Sequence, residues 1–132
     1  MVFYTRDTHN ANYLFSAEGK KLPVKHCIKG TDGWQIGIEV MPGKCIIIDK
    51  STFGYIDWKF DLGRCGIKEG DKIEICGLDT DICVITNALI IKTLYPEAMI
   101  TVDASCCAGS TPEKHKAALE VMKSCQIDVI GE

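Results

Sequence analysis

One cysteine, Cys83, stands where a protein could use a thiol as a nucleophile. It follows an apolar run of strand length, residues 72–78, and falls in the first turn of a helix predicted from about residue 81. The positive end of a helix dipole and its free backbone N–H groups stabilise a thiolate, and the same groups could hold an oxyanion. The spacing alone leaves a second interpretation open, in which Cys83 is a small buried side chain that packs under the helix.

The eight cysteines as a set do not have the pattern of a disulfide framework or of a structural zinc site. No two of them form a C-x-x-C pair, which is the usual spacing signature of zinc. The first residues are interrupted by polar and acidic side chains, unlike a secretory signal, so reduced thiols are the default. A net charge of −3 with scattered Lys and Arg gives no reason to expect nucleic acid or membrane partners. We therefore expect one cytoplasmic domain over residues 1–132.

The elements that must position Cys83 alternate between strands and helices. Apolar runs predict strands at residues 2–5, 45–49, 72–78, 98–103 and 127–130, and helices are predicted at residues 53–62, 81–94 and 112–125. Residues 7–44 are rich in turn formers and predict a long functional loop region. Asp79 and Thr80 are predicted to cap the second helix, and Ser110 with Glu113 forms a capping box for the third. Continuous apolar strands alternating with helices indicate an α/β fold, a three-layer α/β/α sandwich around a mainly parallel sheet.

Several segments, in order along nearly the whole chain, resemble one family. Residues 77–84 (Gly-Leu-Asp-Thr-Asp-Ile-Cys-Val) resemble the nucleophile segment of nicotinamidases and isochorismatase-like cysteine hydrolases. The other matching segments are Arg-Asp-Thr-His at residues 6–9, the Pro and His-Cys-Ile-Lys-Gly-Thr of residues 22–31, Asp-Lys with Phe-Gly at residues 49–54, and residues 102–109. The second of these has one extra residue between Pro23 and His26. The resemblance implies the isochorismatase-like fold.

The resemblance also implies a reaction. Family members use an Asp–Lys–Cys triad, so Cys83 would attack a carboxamide carbonyl and Lys50 would support the thiolate by its positive charge. An aspartate moves the proton, ammonia leaves, and water hydrolyses the thioester. The implied oxyanion hole is formed by backbone N–H groups of Cys83 and Asp79, with a non-proline cis peptide bond at Leu78–Asp79. Many members carry a small residue where this chain has Asp79.

A divalent metal ion, Zn, Mn or Fe, is a further implication of the resemblance. Asp7, His9 and His26 fall in the family's metal-binding positions, and Glu18 is the candidate for an additional ligand. One carboxylate and two imidazoles suit such borderline ions. In nicotinamidases the ring nitrogen of the substrate occupies a metal position, whereas isochorismatases lack these ligands. The metal residues therefore favour nicotinamide over isochorismate.

Substrate contacts are predicted from aromatic and apolar residues near these motifs. Phe53 and Tyr55, with Leu78, are the candidates for flanking the ring of a small-molecule amide substrate, and Trp34 is another, although core packing is the commoner role of such residues. His115 lies among charged residues of a predicted helix and is interpreted as a surface residue.

The resemblance leaves part of the family pattern unmatched. The family's first strand, its helix and its triad aspartate lie before the Asp-x-His segment, and no aspartate of this sequence maps onto that role. A second chain could fill the gap, the neighbouring strands could close up, or the gene product could be truncated. We therefore expect a homo-oligomer. Two alternatives to a nicotinamidase stay open: an isochorismatase-like hydrolase of another amide or a vinyl ether, and an inactive remnant that binds a metal or a partner.

Overall fold

The computed structural model describes all residues, 1–132, and divides them into two compact units, Met1–Thr52 and Phe53–Glu132. Every strand pair is parallel, and the strands form a sheet of two and a sheet of three. The strands are β1 (Val2–Asp7), β2 (Cys45–Lys50), β3 (Lys72–Leu78), β4 (Met99–Ala108) and β5 (Asp128–Ile130), and the helices are α1 (Ala17–Lys21), α2 (Trp58–Arg64), α3 (Ile85–Leu94) and α4 (Pro112–Ser124). The predicted α/β class with parallel strands is confirmed.

The first unit is built on the β1–β2 pair. Its register runs from Val2 opposite Cys45 to Asp7 opposite Lys50, so the two strands end side by side. Between them the chain makes 3-10 turns at Tyr13–Phe15 and Asp32–Trp34 and the short helix α1. The expected loop region is therefore irregular for most of its length, with three short helical turns.

The second unit packs its helices on the sheet β3–β4–β5. Its core includes alternate residues of β4, the inward faces of α3 and α4, Trp58 and Leu62 of α2, and Tyr95 after α3. Fully or almost fully buried members are Trp58, Leu62, Ala88, Ile91, Ile100, Val102, Leu119, Met122 and Ile127. Burying one such aliphatic side chain contributes about 1.5–3 kcal/mol, so this cluster is the main source of the unit's stability.

Three local predictions need correction. The helix predicted at residues 53–62 begins only at Trp58, because the backbone of Phe53 and of Tyr55 bonds to the Asn87 side chain. The strand predicted at residues 98–103 extends to Ala108, since it pairs again with β3 after an irregularity.

The third correction concerns both predicted caps. The cap of α4 is Thr111, whose hydroxyl accepts from the Lys114 N–H, with Pro112 at the start of the helix, whereas Ser110 bonds elsewhere. Asp79 stands at the cap position before the helical turn Thr80–Val84, but its side chain makes no capping hydrogen bond. Finally, no helix in the structure has the length and apolar character needed to cross a lipid bilayer.

Candidate active site and metal centre

Four predicted metal ligands meet in the first unit. Asp7 is the last residue of β1, His9 follows it by two, Glu18 lies in α1 and His26 lies in the loop that follows. One ligand atom from each lies within 4.8 Å of all the others. The His9 Nε2 atom is 3.1 Å from Asp7 Oδ2 and 3.6 Å from Glu18 Oε1, and the His26 Nε2 atom is 3.8 Å from each of these oxygens. We call these residues the carboxylate–histidine cluster.

Backbone contacts explain why residues so far apart in sequence converge. The His9 N–H donates to the Cys27 carbonyl and the Lys29 N–H donates to the His9 carbonyl, both at 2.9 Å, which aligns the His26 loop with the end of β1. Gly19 allows α1 to lie against the turn at Tyr13, because a Cβ at residue 19 would be 2.1 Å from the Tyr13 oxygen. Glycine at this position therefore places Glu18 in the cluster.

The imidazole of His26 is held in the orientation that a metal ligand requires. Its Nδ1 atom lies 2.8 Å from the Val24 carbonyl. A carbonyl only accepts hydrogen bonds, so Nδ1 carries the proton and the lone pair of Nε2 faces the cluster. Two imidazole nitrogens and two carboxylate oxygens form the mixed donor set that borderline divalent ions prefer. The donor set therefore fits such an ion.

Tyr13 forms a wall of the cluster. It is almost fully buried, its ring centroid lies 4.6 Å from that of His9 and 5.0 Å from that of His26, and its hydroxyl donates to the Leu22 carbonyl. Burial raises the pKa of the Tyr13 phenol, and the nearby Glu18 and Asp7 carboxylates add to this effect. Tyr13 thus contributes an uncharged aromatic surface beside the cluster.

Lys50 also belongs to this neighbourhood. It ends β2, opposite Asp7, and only 4% of it is exposed. Its Nζ donates to Asp7 Oδ1 at 3.2 Å and to the Thr52 carbonyl at 3.3 Å. The two oxygens of Asp7 are thereby divided, one toward Lys50 and one toward His9, so the lysine fixes the orientation of a predicted metal ligand.

Trp34, a candidate ring contact, makes several bonds within the first unit. Its ring stacks on the Arg6 guanidinium at 3.5 Å, and its indole N–H donates to the Thr8 hydroxyl at 2.8 Å. Arg6 is bonded in turn to Asp49 at 2.9 Å. A cavity of about 160 Å³ adjoins His9 in the same unit; it is lined by Thr8, His9, Asn10, Asn12, Tyr13, Ser16 and Ser51.

The predicted nucleophile lies in the second unit, in a tight turn directly after β3. We call residues 79–84 the Cys83 turn. The Leu78–Asp79 peptide bond is cis, as the family resemblance implied, and residues Thr80–Val84 form a single π-helical turn that leads into α3. Cys83 is half-buried. Burial and the charge of Asp81 raise the pKa of Asp79.

Asn87 connects the Cys83 turn to the segment that carries the predicted substrate contacts. Its amide donates to the carbonyls of Cys83 (2.7 Å) and Phe53 (3.1 Å). Its carbonyl oxygen accepts from the Tyr55 N–H (2.9 Å) and the Trp58 indole (2.8 Å). The bonding capacity of this buried side chain is fully used, and its role was not foreseen from the sequence.

The predicted substrate contacts differ in how available they are. Phe53 is 45% exposed and Leu78 is 68% exposed, so both present apolar surface. Tyr55 is engaged: its hydroxyl donates to Asp61 at 2.5 Å, and its ring stands edge-on to Trp58. The Asp61 contact, with burial added, raises the pKa of Tyr55 to about 12.

The interpretation of His115 as a surface residue is wrong. The residue is half-buried, and its Nδ1 atom lies 2.8 Å from the hydroxyl of the fully buried Thr80. A signal was present in the sequence, because His115 shares a helical spacing with Ala118, Leu119 and Met122, which are all buried in the core. This spacing places His115 at the end of the inward face of α4.

An α/β fold with parallel strands, a carboxylate–histidine cluster and a cysteine in a turn after a strand define the class of this protein. The model of the isochorismatase family, described as an isochorismatase domain, matches residues 1–131. The chain therefore belongs to the isochorismatase family of hydrolases.

Solved structures agree with this assignment. The pyrazinamidase of Pyrococcus horikoshii, in complex with zinc, is 26% identical with a TM-score of 0.84, over 100% of this chain and 75% of that one. A nicotinamidase/pyrazinamidase of Bacillus subtilis is 23% identical with a TM-score of 0.80, over 96% of this chain and 73% of that one. An isochorismatase-like hydrolase of Alkaliphilus metalliredigens is 23% identical with a TM-score of 0.75, over 96% and 66%. The last two show a shared fold alone. No curated protein matches the chain.

Proposed function

We propose that the chain is an amidohydrolase of the nicotinamidase type, which converts nicotinamide to nicotinate and ammonia. The observation that carries the proposal is the carboxylate–histidine cluster, whose four ligand atoms lie within 4.8 Å of one another. Its nitrogen and oxygen donors suit Zn²⁺, Mn²⁺ or Fe²⁺. The pyrazinamidase of Pyrococcus horikoshii, which matches 100% of this chain and 75% of its own length, was solved with zinc. This supports a metal at the cluster.

Asp7, His9, Glu18 and His26 would hold the ion. When bound, the ion would supply a Lewis-acid position that a ring nitrogen of the substrate can occupy. The chain orients the ligands of the ion. The Val24 carbonyl fixes the His26 tautomer, and the Lys50 ammonium donates a hydrogen bond to the second oxygen of Asp7. Removing either contact should weaken metal binding, because outer contacts of this kind typically contribute about 10–100-fold in affinity.

The covalent chemistry falls to Cys83. Its sulfur attacks the carboxamide carbon to form a C–S bond, and the C–N bond then breaks as ammonia leaves with a proton. Water attacks the thioester, which releases the carboxylate and restores the thiol. Backbone N–H groups of Cys83 and Asp79 receive the negative charge on the carbonyl oxygen, and Lys50 supports the thiolate by its charge. Phe53, Tyr55 and Leu78 are the residues that we propose contact the ring of the substrate.

Proton transfer is the step for which the sequence offers no matching residue, since no aspartate aligns with the general base of the family. Turnover of nicotinamide by this chain is therefore the decisive measurement.

We propose in addition that the chain forms a homo-oligomer. Light scattering during gel filtration would measure its molar mass.

The experiment measures ammonia released from nicotinamide by the zinc-loaded protein. We expect turnover that Cys83→Ala abolishes and that Cys125→Ala, at an exposed cysteine, leaves unchanged. His26→Ala should lower both zinc affinity and turnover. Turnover that survives Cys83→Ala would refute the nucleophile. Hydrolysis of isochorismate in place of nicotinamide would refute the substrate, and stoichiometric zinc binding without hydrolysis of either would identify an inactive metal-binding protein.

A further inference from the structure

Two residues of the Cys83 turn are bonded to the beginning of α4. The hydroxyl of Thr80, which is fully buried, lies 2.8 Å from His115 Nδ1. The carboxylate of Asp81 accepts from the Ser110 N–H at 2.7 Å and from the Ser110 hydroxyl at 2.6 Å. We call these two pairs, Thr80–His115 and Asp81–Ser110, the α4 brace. The partners His115 and Ser110 lie outside α3, the helix into which the Cys83 turn leads.

The helix that carries one side of the α4 brace is fixed by packing in the core. Ala118, Leu119 and Met122 of α4 are 5%, 3% and 0% exposed, so the helix that carries His115 is anchored in the core. The connection from β4 also approaches closely, because a Cβ at Gly109 would lie 2.7 Å from Asp81 Oδ1 and 2.9 Å from His115 Cβ. Only a residue without a side chain leaves both partners in place.

The bonds of the brace are costly to break. A buried hydroxyl without a partner is unfavourable, so Thr80 constrains the backbone around it as long as His115 is present. At Asp81, desolvation acts to raise the pKa, but the hydrogen bonds from Ser110, together with a backbone hydrogen bond of Asp81 and the charge of Lys114, lower it overall. The carboxylate therefore stays ionised and bonded. Thr80 and Asp81 stand three and two residues before Cys83, within the turn that sets the position of its thiol.

We propose that His115 is a positioning residue for the Cys83 thiol, and that it acts through Thr80. The imidazole need not touch the substrate, because its role is to fix the turn that presents the sulfur and the neighbouring backbone N–H groups. The proposal rests on the proposed function in that it takes Cys83 as the reacting group. Displacement of a reacting atom by about 1 Å can cost about 100-fold in rate, so a slackened turn has a measurable effect.

The test measures how fast iodoacetamide alkylates Cys83 relative to exposed Cys125, by peptide-resolved mass spectrometry at a fixed neutral pH. We expect His115→Leu and Thr80→Val each to lower this ratio about ten-fold, and the double variant to lower it no further. His115→Asn and Thr80→Ser, which keep a polar atom near the lost position, should stay within about two-fold. Lys116→Leu, at an exposed site of the same helix, is the matched control.

Kinetics give a second measurement. For nicotinamide hydrolysis, His115→Leu should lower kcat about ten-fold with little change in KM, since the substrate's own contacts are intact. Should a variant fail to fold by circular dichroism, Ser110→Ala at an exposed position removes the hydroxyl bond of the other pair while the backbone N–H bond to Asp81 remains, and it should lower the alkylation ratio about three-fold.

The outcomes separate the two proposals. A wild-type protein that releases no ammonia refutes the proposed function, while a ratio that still falls in His115→Leu supports the positioning role. An unchanged ratio in His115→Leu, Thr80→Val and Ser110→Ala overturns the positioning role. Effects of His115→Leu and Thr80→Val that multiply in the double variant also overturn it, because they would act independently.

Discussion

The structure predicts a large loss of stability when Asn87 is replaced by leucine, because this side chain makes four hydrogen bonds. Leucine branches as asparagine does but has no polar atoms, so Asn87→Leu removes four hydrogen bonds of 2.7–3.1 Å at once. The partners are the carbonyls of Phe53 and Cys83, the Tyr55 N–H and the Trp58 indole. Asn87 and Trp58 are 6% and 5% exposed, so water has little access to the contact between these two side chains.

The magnitude follows from the number of bonds. A typical hydrogen bond contributes about 1 kcal/mol net, and a buried group left without a partner costs about 1–3 kcal/mol. Four bonds therefore predict a loss of about 4 kcal/mol. Since the free energy of unfolding of a typical domain is about 5–15 kcal/mol, Asn87→Leu should remove a large fraction of the stability of the second unit.

Urea unfolding followed by Trp58 fluorescence, in a Trp34→Phe background, measures this loss. Asn87→Asp is the informative companion, because it keeps the acceptor for Tyr55 and Trp58 and loses only the two donors; we expect about half of the loss plus the cost of a buried charge. A loss below about 1 kcal/mol in Asn87→Leu would show that these bonds do not hold the segment, and the reasoning would fail.

Three further substitutions test other contacts. Tyr55→Phe should cost about 1–2 kcal/mol near neutral pH, since the bond to Asp61 is charge-assisted. That bond raises the pKa of Tyr55 to about 12. The difference in unfolding free energy between the variant and the wild type should therefore shrink as the pH rises from about 10 through about 12, and a difference independent of pH would contradict this reasoning. Thr111→Ala should cost about 1 kcal/mol through loss of the α4 cap while Thr111→Ser should not, measured as a shift in Tm. Gly19→Ala would place a Cβ 2.1 Å from a backbone oxygen, whereas a Cβ at Gly33 meets nothing within 4 Å. Gly19→Ala should therefore weaken zinc binding at least about ten-fold by calorimetry, while Gly33→Ala should leave it unchanged. Equal zinc affinities of the two variants would contradict the placement of α1.

Much of the fold could be predicted from the sequence, because the apolar runs of the strands are nearly continuous. The prediction of β3 matches the structure at both ends, and Asp7 with Lys50 could be expected at a common strand end once β1 and β2 are parallel. The family motifs add His9, His26 and Glu18, which the structure brings together. Local patterns predicted the strands, whereas the family resemblance predicted which distant side chains lie together.

The errors came from contacts between segments that are distant in sequence. Ser110 and Glu113 have the spacing of a capping box, but Asp81, 29 residues earlier, takes the Ser110 hydroxyl, and Thr111 becomes the cap. The helix expected from Phe53 is delayed because Asn87, 34 residues later, binds its carbonyl. A single sequence carries no direct signal of such pairings, whereas His115 had one in its helical spacing.

The irregular pairing of β4 has a consequence for how this domain can vary. Ile75 pairs with Val102 and Gly77 pairs with Cys107, so residues 103–106 of β4 lie opposite a single residue of β3, Cys76. The additional residues of β4 are held by local hydrogen bonds, since the Asp103 carboxylate accepts from the backbone N–H and the hydroxyl of Ser105. Insertions or deletions within residues 103–106 would therefore be absorbed before the strands pair again, and the end of β3 would keep its register. We expect the number of residues at this point to vary among related chains while the length of the turn after β3 stays constant. The irregular part of β4 would then tolerate insertions without moving the Cys83 turn.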